Sequence, residues 1–358
     1  VTKDLSVNVS GGGRPIGVGI GLAIASAVAF GATIPMLGWA GTGVGPFVTA
    51  SLLYAGASVA AVLQKAVVRE SGSGFVPCSF PTLLVMAGAG AVVAPTLFAW
   101  GLQLTGPVTG GLLLNLEAVW TVVLARIVFG EFLGRRVLIA LTLMLIGGAL
   151  LAIQGKGGLE FSVVGVIAVV GASLAWAIDN TASRRLAELR PLTVVATKGA
   201  FGAVLTLSLA LIFHESLPKA WQVAALLAAG ATGYGASLRL YLMAQRRIGA
   251  ARTASVFALA PFIGAALGLF AVPTHLTWAV GAAGVLFVAG VALHISERHA
   301  HRHRHEGTEH DHAHSHDDGH HSHGHAEPVI GEHAHRHRHE PLEHEHDHGP
   351  DVHHGHDH

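Results

Sequence analysis

The chain has 358 residues, of which 51% are hydrophobic and 12% charged, with a formal net charge of zero. Soluble globular proteins carry roughly 25% charged residues, so an ordinary soluble domain is excluded, in line with a mean hydropathy of +0.53. The single cysteine, Cys78, excludes an intramolecular disulfide or a thiolate metal cluster within one chain.

Residues 1–15 are polar and glycine-rich and lack the apolar core and cleavage site of a signal peptide, so they read as a cytoplasmic N-terminus. About 20 apolar residues are needed for a helix to cross the hydrocarbon core. Such runs occur at Ile16–Leu37, Phe47–Val68, Leu83–Leu104, Val108–Phe129 and Val137–Ile153. They continue at Val163–Ala182, Leu192–Phe213, Val223–Ala244, Ala254–Phe270 and Trp278–Ile295. The runs are continuously apolar and do not alternate, which predicts helices and not barrel strands. The expected fold is therefore an all-α membrane protein of ten transmembrane helices.

With the N-terminus in the cytoplasm, the inside segments hold Lys3, Arg14, Lys65, Arg69, Arg135, Arg136, Arg184, Arg185, Arg190, Arg246, Arg247 and Arg252. The outside loops hold only Lys156 and Lys219. This positive-inside bias predicts a multi-pass protein of the bacterial inner membrane with both termini cytoplasmic. Small residues at spacings of four, such as Gly17 with Gly21 and Gly264 with Gly268, are expected to let helix backbones approach closely.

The apolar body divides near 155–160. Residues around Gly106-Pro107 and Leu116-Glu117-Ala118-Val119 align with Gly249-Ala250 and Leu259-Ala260-Pro261-Phe262. Five helices per half force opposite orientations, so the halves form an inverted repeat, a plan that builds transporters with a central site. The expected organisation is a first repeat at 16–154, a linker at 155–160, a second repeat at 161–296 and a tail at 297–358.

The fragments Leu116-Glu117-Ala118-Val119-Trp120, Phe129-Gly130-Glu131-Phe132, Leu174-Ala175-Trp176-Ala177 and Tyr241 through Arg252, in that order, resemble the drug/metabolite transporter superfamily built from two EamA-type domains. The resemblance spans Ile16 to Ile295. It implies export or import of small organic solutes. The chain departs from the usual Glu-Pro pairs: Glu117 is followed by Ala118, and Pro261 is preceded by Ala260.

Charges inside a span are costly, by about 2.5–3.5 kcal/mol at the helix centre on insertion scales. Glu117 stands mid-span near Asn115 and Trp120, placed to hold a proton, a cation or an amine. Asp179, Lys198 and Arg239 fall at similar depth on three spans, so an ion pair or triad is expected there, serving as packing, gate or substrate contact. Arg126 is expected to snorkel to the cytoplasmic edge. Trp100, Trp120, Trp176 and Tyr234 are candidate cavity walls or packing anchors. The candidate substrate or coupling residues are thus Glu117, Asn115, Trp120, Asp179, Lys198, Trp176, Tyr234 and Arg239.

The tail is low in apolar residues and is expected to be disordered without metal. A first block holds His299, His301, His303 and His305, then His310, His312, His314 and His316, then His320, His321, His323 and His325. A second copy holds His333, His335, His337 and His339, then His344, His346 and His348, then His353, His354, His356 and His358. Imidazole suits zinc, nickel, cobalt and copper, so these are the expected metal ligands; no other cofactor is required. No histidine lies deep in a span. No nucleophile–base pair, P-loop or metal-hydrolase motif is visible, so an enzyme is not expected. The expected partners are the bilayer, a small-molecule substrate, divalent metal ions and a second copy in a homodimer, and not nucleic acid. The functional expectation is a secondary transporter of a small metabolite or drug-like solute, proton-coupled through Glu117. A divalent-metal exporter or a metal-buffering membrane protein is the alternative.

Overall fold

A computed structural model describes residues 13–68, 80–129, 134–153, 163–183, 190–248, 250–271 and 277–295 of a helical body, and 299–305, 309–314, 333–338 and 342–348 of the tail. The N-terminal segment, Cys78, the 155–160 linker, and Arg184 and Arg185 fall outside these residues. So do His316, His320, His321, His323, His325, His339, His353, His354, His356 and His358. The helical body and the tail are separate units.

The first half of the body runs α1 (Gly13–Ala40), α2 (Pro46–Val67), α3 (Phe80–Ala87), α4 (Ala94–Leu113), α5 (Leu116–Phe129) and α6 (Arg135–Ile153). The second half runs α7 (Val163–Ser183), α8 (Pro191–Ile212), α9 (Ala220–Ala229), α10 (Ser237–Ile248), α11 (Ala250–Phe257), α12 (Ala260–Ala271) and α13 (Trp278–Ile295). By length and composition, eight helices among the described residues can cross a membrane, and Trp278–Leu293 is a shorter apolar one. One of the eight, Pro81–Leu113, is bent at Gly106, whose φ of 78° and ψ of 164° are open to glycine at little cost. There the third pass turns into the fourth, which α5 completes. The described residues thus make ten passes.

The two halves correspond element by element. α1 (Gly13–Ala40) opens the first half as α7 (Val163–Ser183) opens the second. The third pass carries a π-helical turn at Gly88–Val93, and its counterpart in the eighth lies at Gly230–Ala236. The fourth pass breaks at 114–115, and the ninth at 258–259. These interruptions arise where the sequence weakens the helix ladder. Both π turns are glycine-rich. The first break is held by Asn115, whose Nδ2 donates to the Leu112 carbonyl at 2.9 Å. After the second, Pro261 sits in the first turn of α12, where its missing N–H costs nothing.

Packing inside the body is close. An added Cβ on Gly56 would fall 2.1 Å from the Leu227 carbonyl oxygen, and one on Gly230 would fall 2.0 Å from that of Leu53. α2 and the second π turn therefore meet backbone to backbone. In lipid, association rests on such packing and not on water exclusion. The core is filled by Ile34, Leu53, Met86, Phe98, Leu113, Met144, Leu192 and Phe287, all fully buried. Leu63, Ile127, Val204, Leu211, Phe270 and Val285 form part of an apolar outer surface suited to acyl chains. Of the expected glycine contacts, Gly264 packs on Ile34 and the Gly31 carbonyl, and Gly268 on Pro107 and Val108. Gly17 and Gly21 face open space instead; it is Gly19, between them on another face of α1, that packs on Ile248 and Arg247.

The tail is a unit of its own. It contains β1 (His299–His305), β2 (Glu309–His314), β3 (His333–Arg338) and β4 (Leu342–His348), paired antiparallel as β1 with β4 and β2 with β3. It lacks an apolar core, but its strict two-residue alternation matches the strand period.

Candidate functional site

Glu117 lies in the first turn of α5, just past the break at 114–115. A helix N-terminus is a favourable place for a carboxylate. Its Oε1 accepts from Asn180 Nδ2 on α7 at 2.6 Å. One residue before Asn180, Asp179 receives Lys198 Nζ of α8 in an ion pair; the two side chains are 6% and 4% exposed. One half-buried carboxylate, one buried carboxylate and one buried ammonium thus share one region between the halves. The pair lies close to the first π turn. Gly90 presents its Cα face to Asp179, and an added Cβ would fall 2.1 Å from Asp179 Oδ2. The Gly90 carbonyl accepts from the Tyr54 hydroxyl.

These groups line a cleft that is open on one side. Its remaining walls are mostly aromatic. Phe30 meets Trp176, Tyr234 and Phe257 at centroid distances of 5.9, 5.7 and 5.6 Å. Tyr54 stands edge-on to Tyr234 at 5.3 Å, and Tyr241 to Phe257 at 5.1 Å. Two polar atoms in this wall, Asp179 Oδ1 and Tyr234 Oη, are buried and have no hydrogen-bond partner among the described residues. Buried polar groups normally find partners, and these two depart from that rule within the cleft wall.

The cleft lies towards one end of the body. Asp179 is four residues from the end of α7, and Lys198 is seven past the start of α8. Tyr241 is seven residues before the end of α10, and Phe257 seven past the start of α11. All four sit within about two helical turns of that end. The opposite end, around the α1–α2 loop, is sealed. Gln103 Nε2 donates to the carbonyls of Gly41 and Val44 at 3.0 and 2.9 Å. Gln222 Nε2 donates to those of Ala40 and Thr42, both at 3.1 Å. The Glu215 carboxylate caps α2, accepting from the Phe47 and Val48 amides at 3.1 and 2.8 Å. Trp39 and Trp221 pack at 4.7 Å across the same end.

The structure therefore brings together Glu117, Asp179, Lys198, Trp176 and Tyr234 from the sequence-derived set. Asn115 is buried at the helix break and serves it. Trp120 is half-buried on α5, outside the cleft wall, with its Nε1 unpartnered among the described residues. Arg239 donates from Nη1 to Gln64 Oε1 at 2.6 Å and is likewise not part of the wall. Arg126 is exposed, and Trp100, 42% exposed, lies on the outer surface. Sequence reasoning missed Asn180, Tyr54, Phe30, Tyr241 and Phe257. Asn180 directly follows Asp179, and Tyr54 is a hydroxyl-bearing residue inside a span; both were available signals.

A model of the EamA-like transporter family matches residues 17–153 and again 163–296. This chain belongs to the EamA-like transporter family. The two matches coincide with the two helical halves, and the chain is a multi-pass membrane protein of that family. A protein of Methanothermobacter thermautotrophicus described as an uncharacterized transporter is 27% identical over 220 residues, covering 58% of this chain and 62% of that protein. The chain thus spans about 62% of the length of that curated relative. A solved crystal structure superposes with a TM-score of 0.57 at 22% identity, over 77% of this chain and 96% of that one. It shares the fold.

Proposed function

We propose that the chain is a secondary transporter of a small organic solute, and that the Asp179–Lys198–Glu117 cleft is where the solute binds. The observation that carries this reading is the pair of unsatisfied buried atoms, Asp179 Oδ1 and Tyr234 Oη, in an aromatic-walled cleft at the interface of inverted repeats. Two carboxylates against one ammonium favour a solute that carries an amine. Aromatic faces on either side would hold a cationic head and its apolar body. Glu117, bonded to Asn180 and set at a helix break, is the candidate proton carrier.

With the N-terminus cytoplasmic, as the basic loops favour, the sealed end is extracytoplasmic and the cleft belongs to an inward-facing state. This fits a bacterial inner membrane, with the tail in the cytoplasm binding divalent metal. The body offers little support for metal as cargo: among the described residues of the helical body, no three or more histidine, cysteine, aspartate or glutamate side chains are grouped to hold an ion.

The test is flux into proteoliposomes across a panel of small amines, zwitterions and neutral solutes, with and without a proton gradient. Amine uptake that Asp179→Asn removes supports the reading. A panel with no flux by the intact protein, or uptake indifferent to Asp179, overturns it. Proton coupling that survives Glu117→Gln removes Glu117 from the mechanism.

A further inference from the structure

The tail sequence contains two kinds of histidine block, each present twice. His299-Ala300-His301-Arg302-His303-Arg304-His305 and His333-Ala334-His335-Arg336-His337-Arg338 are basic. Glu309-His310-Asp311-His312-Ala313-His314 and Leu342-Glu343-His344-Glu345-His346-Asp347-His348 are acidic. The strand pairing joins the basic block of each copy to the acidic block of the other.

The register sorts the residues by type. In the β1–β4 ladder, His299 is opposite His348, His301 opposite His346 and His303 opposite His344. The positions between them set Arg302 opposite Glu345 and Arg304 opposite Glu343. In the β2–β3 ladder, His310, His312 and His314 are opposite His337, His335 and His333. Glu309 and Asp311 there are opposite Arg338 and Arg336. Because strand positions alternate between faces, each ladder has one face of histidine positions, with Leu342 at one end of the β1–β4 ladder, and one of charged or alanine positions. A slip of one residue would set histidine against charged or alanine positions.

We propose that each ladder is a divalent transition-metal site built from cross-strand histidine pairs, with the arginine–acid positions on the other face setting the register. This rests on the reading above that the tail binds metal, and adds where and how. Directly opposed residues have Cβ atoms about 4.5–5.5 Å apart. Two imidazole nitrogens on one zinc ion, each about 2.0–2.1 Å from it in a tetrahedral set, are about 3.3 Å apart. Opposed histidines can meet that requirement, and two neighbouring pairs supply four nitrogen donors. His299, His301, His346 and His348 form one such group. His310, His312, His335 and His337 form another. The expected stoichiometry is at least two tightly held ions per chain.

Charge reversal tests the register while leaving every histidine in place. Zinc titration calorimetry on the full-length protein in detergent is compared across three variants. Arg302→Glu with Arg304→Glu sets acid opposite acid in the β1–β4 ladder. Glu343→Arg with Glu345→Arg sets arginine opposite arginine. The fourfold variant restores opposite charges with the strands exchanged. Simple attraction of a cation to net charge makes the first variant bind more tightly and the second less. The ladder makes both weaken about tenfold at one site, since like charges directly opposed destabilise pairing, and makes the fourfold variant recover. Zinc should also protect amides in 299–305 and 342–348 from hydrogen exchange, and this protection should fail in the first two variants. Tighter binding by the first variant, or no recovery in the fourfold variant, overturns the ladder while leaving a metal-binding tail. No zinc binding by the intact protein overturns both.

Discussion

Removing one member of the Asp179–Lys198 pair should cost far more than removing both. Each side chain is at most 6% exposed, so each charge is almost wholly withdrawn from water. Breaking a buried pair from one side leaves a charge without compensation, at a cost of about 3–5 kcal/mol. Exchanging both members for apolar side chains of similar volume removes the desolvation cost along with the attraction, and is commonly neutral or stabilising. Asp179→Ala and Lys198→Ala should therefore each lower stability by about 3–5 kcal/mol. Asp179→Leu combined with Lys198→Met should unfold close to the parent protein. Thermal or denaturant unfolding in detergent reads the stability, and proteoliposome flux reads the function. The double variant should be folded and inactive, because the proposed solute site loses the Asp179 carboxylate and its unpartnered Oδ1. Single variants that lose under about 1 kcal/mol would show that the pair is hydrated in the membrane. A double variant that transports like the parent would reduce the pair to a packing device and refute the binding role.

Tyr234→Phe removes a hydroxyl that has no hydrogen-bond partner among the described residues, so stability should hold or rise while KM rises about five- to tenfold, read by flux against concentration. Gly90→Ala places a methyl group 2.1 Å from Asp179 Oδ2 and should abolish flux; full activity would disprove the close approach of the π turn to Asp179. Glu215→Ala strips two amide acceptors from the start of α2. At about 1–2 kcal/mol for such a cap, it should loosen the sealed end roughly tenfold. Spin labels at Thr42 and Leu217 on a Cys78→Ser background should then report a longer and broader distance, and an unchanged distribution would count against the clamp. Gly45→Ala should mimic it, since its Cβ would meet the Glu215 carboxylate at 2.2 Å.

Most of the helical body was legible because lipid imposes a simple rule: every pass must be long and apolar, and charge must gather in the loops. The ten runs and their division into matching halves follow from that rule. The interruptions were not legible, because a π turn at Gly88–Val93 or a break at 114–115 leaves the hydropathy of a pass unchanged. What selects them is backbone contact with another helix, which glycine permits but does not announce. Costly buried charge pointed to Glu117, Asp179 and Lys198, and these converge. Arg239 stood at similar depth by count, yet a helix has several faces at each depth, and its guanidinium bonds Gln64. The aromatic box was hidden for the same reason: Phe30 and Phe257 look like any other apolar residue until α1 and α11 are placed side by side.

The paired π turns give the body a source of slack. Each inserts a surplus residue into a rod that would otherwise transmit any tilt from tip to tip, and each does so beside a glycine face pressed on the opposite half, Gly90 on Asp179 and Gly233 on Thr33. Handing that surplus one position along shifts the remaining half-rod by about 1.5 Å and a fraction of a turn with few bonds exchanged. The two ends of the third and eighth passes can therefore swivel independently, each with its fulcrum at mid-membrane. Rocking of one half on the other needs joints of this kind at matched places, and the duplicated fold supplies them as a pair.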